Sequence, residues 1–286
     1  MPVYERGYTH WQPSGRRARP AWLVIARRGV LEPLRRRWLF LLILLSWFPA
    51  IFKGGVIYAK LKAGNVLDLM GGGWTSIEPE GFLKFIEGQR FFVFVLLAIT
   101  GAGLIAADRR ENGLSLYFSR PLGLLDYVGG KAATVVTFYC LVTLLPVCAL
   151  CLFAYLIAPD ATGPDLLLMT PLRTLVYCAL TGASISLVLL AFSSLGTRSI
   201  FVMVWWTLLV SGTETVGGIA EGVLHKGSLQ ALNFLGQYHN AGSLLFGAPR
   251  RLENVSPWFS LALVVLWTAL ALWVLRRQIR PVEVVS

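Results

Sequence analysis

Apolar residues in this chain come in long unbroken blocks rather than in alternating or helical stripes, and the polar residues gather between them. The blocks fall at 38–58, 91–107, 132–158, 174–195, 200–219 and 258–275. Each comes close to or exceeds the ~20 mainly apolar residues that a helix needs to cross a hydrocarbon core, so the pattern predicts six membrane-spanning helices. The fifth block is the least regular: it is cleanly apolar only as far as Val210 and then passes through Ser-Gly-Thr-Glu to Gly217 and Gly218. Pro49 in the first block and Pro146 in the third predict kinks, which a membrane tolerates where neighbouring groups satisfy the freed carbonyl.

The connections carry patterns of their own. In AWLVIARRGVLEPLRRRW, ahead of the first block, helical spacing places Trp22, Ile25, Ala26 and Gly29 on one face. Arg27, Arg28, Arg35, Arg36 and Arg37 stand nearby, with Pro33 breaking the helix. This predicts an amphipathic helix lying along the membrane surface. After Gly71 to Gly73, the segment EPEGFLKFIEGQR spaces Phe82, Phe85, Ile86 and Gln89 as one helical face, predicting a short interfacial helix that leads into the second span. Residues 212–257 are glycine-rich, moderately apolar and too broken to span. Broken backbone at membrane depth occurs where protein buries it or where it lines a cavity, so the segment reads as a re-entrant hairpin.

Composition agrees with a chain that mostly faces lipid. Of its 286 residues 56% are hydrophobic and 14% charged, at a mean hydropathy of +0.64, whereas a soluble domain carries about 25% charged residues. The chain therefore reads as one all-α integral membrane domain, with 1–37 as tail and interfacial helix, 38–275 as a six-span bundle and 276–286 as a second tail.

The net charge of +11 is placed as in a membrane protein rather than as in a nucleic-acid binder. Segments 1–37, 108–131, 196–199 and 276–286 hold 17 of the 26 Lys and Arg, and segments 59–89, 159–170 and 220–257 hold six. An even number of spans leaves both termini on one side, and the basic excess marks that side as cytoplasmic. The expectation is a multi-pass protein of the inner (plasma) membrane, its arginines against anionic lipid headgroups. The first block starts too late and runs too long for a cleaved signal peptide and reads as a retained anchor.

Candidate chemistry is sparse. Cys140, Cys148, Cys151 and Cys178 all fall in spans three and four, where cysteine acts as a small hydrophobe. His225 and His239 lie fourteen residues apart with no ligand pattern around them and read as outer-surface histidines. No metal site is expected. Glu214 and Glu221, seven apart and near one helical face, are the candidate gate or transport carboxylates. A phosphate-binding G-x-x-x-x-G-K-[ST] loop is approached only at Gly130-Lys131, where position 125 is Leu and position 132 is Ala. Neither H-E-x-x-H nor G-x-S-x-G occurs. If the chain moves a molecule against a gradient, another subunit supplies the work.

One polar segment is longer than a simple connection requires. Residues 108–123, DRRENGLSLYFSRPLG, run from a charged turn through an apolar patch to a Ser-Arg-Pro stop, and the chain returns to the membrane over Asp126 to Lys131. Aromatic and charged residues mixed on one surface suit docking. The order of charged cluster, Glu, Asn-Gly, apolar patch, Arg-Pro and Gly-Gly-Lys resembles the cytoplasmic loop of type-2 ABC transporter permeases. The basic helix before the first span and the tail VLRRQIRPVEVV are similar to the same family.

That resemblance implies a six-span subunit that pairs with a second permease copy, as a homodimer, and seats each loop in a groove of a separate ABC ATPase subunit. ATP and Mg would be bound there; this chain would need no cofactor and be no enzyme. Asp108, Arg109, Arg110 and Glu111 would form the charged end of span two, Leu114, Leu116, Tyr117 and Phe118 the coupling helix, and Arg120, Pro121 and Lys131 the return. Glu111 is equally suited to a helix-end salt bridge with Arg109, Arg110 or Lys131. Residues 212–257 would be the hairpin that closes the external gate. The implied function is export of a cargo, an amphiphile being compatible with the apolar spans. The alternative is a mechanical transmitter that passes ATPase-driven motion to a periplasmic partner, and a stand-alone channel or membrane enzyme is the third reading.

Overall fold

The computed structural model describes residues 20–63, 76–118, 122–222 and 227–279, and every regular element among them is helical. Among the described residues six stretches are long and apolar enough to cross a membrane: Arg37–Lys62, Arg90–Arg110, Leu124–Ile157, Leu166–Leu195, Ser199–Ile219 and Pro257–Gln278. The chain is a multi-pass membrane protein. The side of the bundle that carries the N-terminal helix is called the near side below, and the opposite one the far side.

Helix α1 (Ala21–Leu34) precedes the first span, which is built from α2 (Arg37–Ser46) and α3 (Phe48–Ala63). The break between these two lies at Trp47, where Pro49 has no N–H to offer the Leu45 carbonyl. Leu41, Leu44, Leu45, Phe48 and Ile51 stand exposed along the outside of this span, as side chains facing lipid tails would. Helix α4 (Pro79–Gly88) covers the far end, and its Phe82, Phe85 and Ile86 face is buried, with Gln89 beside it, as the spacing predicts. Lys53 of span one is buried under this helix and donates to the Gly81 carbonyl at 2.7 Å, with the Phe82 ring 4.7 Å away.

Span two consists of α5 (Arg90–Gly101) and α6 (Gly103–Arg110). Ser193 of span four enters its backbone at the join. The Ser193 Oγ accepts from the Ile105 and Ala106 N–H groups, each at 3.0 Å, and donates to the Ala102 carbonyl at 2.8 Å. Helix α7 (Gly113–Phe118) follows, then span three as α8 (Leu124–Val142) and α9 (Leu144–Ile157), broken at Thr143 three residues ahead of Pro146. Span three starts eight residues earlier than its apolar block because Lys131, the charge that delays the block, is buried and paired.

The long helix α10 (Pro159–Leu195) kinks at Gly163, whose φ of 65° favours glycine, and continues as span four. It is the most buried of the spans and packs against α6, α8 and α9. Span five joins α11 (Ser199–Thr207), a π-helical turn over Leu208–Gly212 and α12 (Thr213–Gly222). The irregularity expected after Val210 is thus absorbed as one wide turn, and Gly217 and Gly218 remain helical. A 3₁₀ turn (Gly227–Leu232), helix α13 (Phe234–Phe246) and the last span, α14 (Pro257–Gln278), complete the chain. Helix α13 is buried along nearly its whole length between α14, α4 and α10, and α12, the 3₁₀ turn and α13 pack together as a helical hairpin on the far side.

Helix α1 lies against α8 with Ala26 buried and Ile25 and Gly29 half-buried, matching the face that its spacing predicts, while Trp22 stays exposed at its edge. The approach is close. A Cβ at Gly130 would stand 2.8 Å from the Trp22 carbonyl, and one at Gly29 would stand 2.4 Å from the Thr134 Oγ1. Gly71 to Gly73, the arginines before Pro20 and the tail after Ile279 lie outside the described residues.

Candidate functional site

Two groups of polar side chains are built into the bundle, one at each end. The near-side group grows from the loop between spans two and three. Helix α6 ends at Arg110, and Asn112 turns the chain with φ 52°, a left-handed conformation that asparagine tolerates better than most residues. Helix α7 then folds back against α6. Asp108, in the last turn of span two, receives Lys131 Nζ and the Tyr127 hydroxyl on the same oxygen, each at 2.7 Å. Lys131 also donates to the Leu104 carbonyl at 2.9 Å and lies 5.8 and 5.6 Å from the centres of the Tyr117 and Tyr127 rings. Those rings stand 5.2 Å apart. One carboxylate, one ammonium and two phenols therefore fasten α6, α7 and α8 together.

Burial holds the Tyr117 phenol above its ordinary range, assisted by Asp108, while Arg28 of α1 works against it. Arg109 donates to the Ser194 carbonyl, which ties the same node to span four. Arg110, Glu111 and Asn112 form the exposed tip, and Glu111 pairs with Arg110 at 2.9 Å. The salt bridge expected at Glu111 is thus made with Arg110, and Lys131 belongs to Asp108. Leu114 is half-buried against the core. Arg120 and Pro121 lie outside the described residues, as do the side chains of Leu116 and Phe118.

The far-side group was not legible as a set. Glu87 at the end of α4, Arg90 at the start of span two, Glu214 of span five, His239 of α13 and Arg251 before span six converge. Glu214 Oε1 lies 3.1 Å from Arg90 Nη1 and 2.8 Å from Arg251 Nη2. Arg251 also contacts Glu87, and Arg90 Nη2 is 3.6 Å from the same carboxylate. Arg251 is set by Asn240, a fully buried side chain whose Oδ1 accepts from the Arg251 and Leu252 N–H groups at 3.0 Å each. Helix α13 is pinned to span five where the Phe234 N–H donates to Thr213 Oγ1 at 3.1 Å.

His239 is buried inside this group, 7% exposed, which corrects its reading as an outer-surface histidine. Helix α13 carries it inward because the helix packs on three sides, an environment that a run of mixed polarity does not announce. Its Nδ1 lies 3.3 Å from Glu87 Oε2. That carboxylate is already engaged by two guanidiniums, so burial decides the imidazole's state. Burial and the Arg90 and Lys84 charges hold it below its ordinary range, partly offset by a backbone hydrogen bond to Pro249. Burial likewise lowers Arg251. Glu214 sits in the group as a paired carboxylate. The side chain of Glu221 and the whole of His225 lie outside the described residues.

Beneath these charges a cavity of about 50 Å³ opens between spans two, three, four and five and α13. Its wall includes Phe94, Tyr139, Tyr177, Trp206, Leu235 and Tyr238, with Glu87, Arg90, His239 and Arg251 at its polar end. Sequence reasoning missed Glu87, Arg90, His239 and Arg251. Only the i, i+3 spacing of Glu87 and Arg90 was available as a signal, and it fixes no partner across the fold. No protein-family model and no curated protein matches the chain.

Proposed function

We propose that the chain is the membrane-spanning permease subunit of an ABC transporter. ATP is hydrolysed by a separate ATPase subunit, and the permease couples this to export of a cargo across the inner (plasma) membrane. In this reading both termini and α7 are cytoplasmic, in keeping with the basic excess on the near side. A second copy completes the pathway, and the far-side hairpin is re-entrant and closes the external gate.

The observation that carries the proposal is the fastening of α7 to two spans at once through Asp108, Lys131, Tyr117 and Tyr127. A loop that only joined two helices would not need a buried ion pair. A helix that receives force from a partner does, because displacement of α7 must reach the spans rather than be lost in loop motion. Ser193 and the Arg109 contact to Ser194 extend the same connection to span four.

The test replaces Leu116, Tyr117 and Phe118 together by aspartate in the chain co-expressed with its cassette ATPase. The expected result is loss of the ATPase from a detergent pull-down while the permease elutes unchanged. Undiminished co-purification with undiminished ATP turnover would overturn the assignment.

A further inference from the structure

The far-side cavity is more than a gap beneath a charged cluster. Its wall contains two guanidiniums, Arg90 and Arg251, and one carboxylate, Glu87. The second carboxylate, Glu214, balances the group without forming part of the wall, and its side chain is 39% exposed against 24% for Glu87. Trp206 is 1% exposed, yet among the described residues its indole Nε1 finds no hydrogen-bond acceptor, and Arg90 Nη1 finds none with hydrogen-bond geometry despite its closeness to Glu214. Both atoms can only donate, and a buried donor left unmet is costly. His239 and Thr143 also line it, and the rest of the wall is aliphatic or aromatic, with Tyr139, Tyr177 and Tyr238 among its rings.

We propose that this cavity receives the acidic head, a carboxylate or a phosphate, of an amphiphilic molecule. The head takes hydrogen bonds from Trp206 Nε1 and Arg90 Nη1 and displaces Glu214 from the two arginines. A volume of about 50 Å³ suits one small polar group, and the apolar wall favours a molecule whose remaining body is also apolar over a hydrated ion. Glu214 is the carboxylate to leave because it reaches water most readily. Its departure unties span five from Arg90 at the start of span two and from the Arg251 loop, so occupancy of the cavity and opening of the far side become one event. As the cargo of the proposed permease this molecule rests on that reading; as a ligand of the cavity it needs no ATPase.

The test uses the full-length chain alone in phosphatidylcholine nanodiscs. The probes are dodecanoic acid and dodecyl phosphate, and dodecylamine and dodecanol are counterparts of equal length without an acid. Saturable binding of an acid probe is expected, with none for the amine. Arg90→Gln and Arg251→Gln weaken it roughly tenfold or more, the loss of a charged hydrogen bond. Trp206→Phe weakens it severalfold, and Glu214→Gln strengthens it by removing the competing charge. If the arginine variants fail to elute as folded protein, the last two still decide the matter. Nanodiscs containing phosphatidylglycerol separate the sources: lost probe binding there identifies a membrane phospholipid as occupant, and unchanged binding a single-chain acid. Equal binding of amine and acid, no binding of any probe, or an affinity that Glu214→Gln leaves unchanged overturns the site. A failed ATPase interaction with intact acid binding would instead overturn the permease reading alone.

Discussion

Lys131 Nζ lies 2.7 Å from Asp108 Oδ2, joining the second turn of span three to the last turn of span two where the chain reverses. Both side chains are largely buried, 10% and 19% exposed. Each is therefore worth more as a partner than as a charge in water. Lys131→Met leaves the carboxylate, among the described residues, with the Tyr127 hydroxyl as its one partner, and removal of one member of a buried pair costs about 3–5 kcal/mol. Pairing Lys131→Met with Asp108→Asn removes the stranded charge, so the double variant is expected to melt above Lys131→Met alone. Thermal unfolding in detergent measures both. Additive losses would show that the two residues do not act as a pair.

Ser193 supplies hydrogen bonds to span two that span two cannot supply to itself. In Ser193→Ala the Ile105 and Ala106 N–H groups lose an acceptor in a buried place, at a cost of about 1–3 kcal/mol. The loss should be local before it is global. Hydrogen exchange at Ile105 and Ala106 is expected to rise in the variant while exchange in span six stays as it was. Unaltered exchange at both positions would mean that the helix closes the break unaided.

The six spans were legible because each is a block of apolar residues, and block length alone sets a crossing. The two amphipathic helices were legible too, since the buried faces of α1 and α4 follow the helical period. The near-side node was readable in part. The loop stood out by its length, but that Lys131 would choose Asp108 over Glu111 depends on the direction in which α7 folds back from Asn112. The far-side group was invisible for a plainer reason. Glu87, Glu214, His239 and Arg251 come from four elements separated by as many as 164 residues, and no local pattern joins them. Burial of His239 likewise follows from what packs around α13, not from its neighbours in sequence.

Contact between α1 and α8 depends on two glycines, and one of them allows a compensation test. Gly29→Ala places a Cβ 2.4 Å from Thr134 Oγ1 and 2.9 Å from its Cγ2, so α1 must shift outward. Thr134→Ala removes these two atoms and leaves only its Cβ, 3.2 Å away, for α1 to accommodate. The double variant is expected to recover most of the stability that Gly29→Ala loses, and protease sensitivity between α1 and span one should return to the native level. At Gly130 no such rescue is available, because the nearest obstruction includes the Trp22 backbone carbonyl. A Gly130→Ala variant as stable as the native protein would show that α1 does not rest on α8 in the membrane.

His239 gives the far side a dependence on pH whose sign can be worked out. Burial above all, with the Arg90 and Lys84 charges, holds the folded imidazole below its ordinary value of 6.5. The unfolded chain then binds this proton more readily than the native one. Stability from His239 is fully present above about pH 6.5 and is lost as pH falls from there through the lowered native value. Protonation would place a third cation beside Arg90 and Arg251, with Glu87 and Glu214 the nearby carboxylates to answer it. His239→Gln keeps a polar side chain of similar reach without the titration. Melting midpoints recorded between neutral and mildly acidic pH are expected to fall more steeply for the native chain than for His239→Gln. Parallel profiles would show that the imidazole keeps an ordinary affinity for its proton in the folded protein, and that Glu87 pairs with it after all.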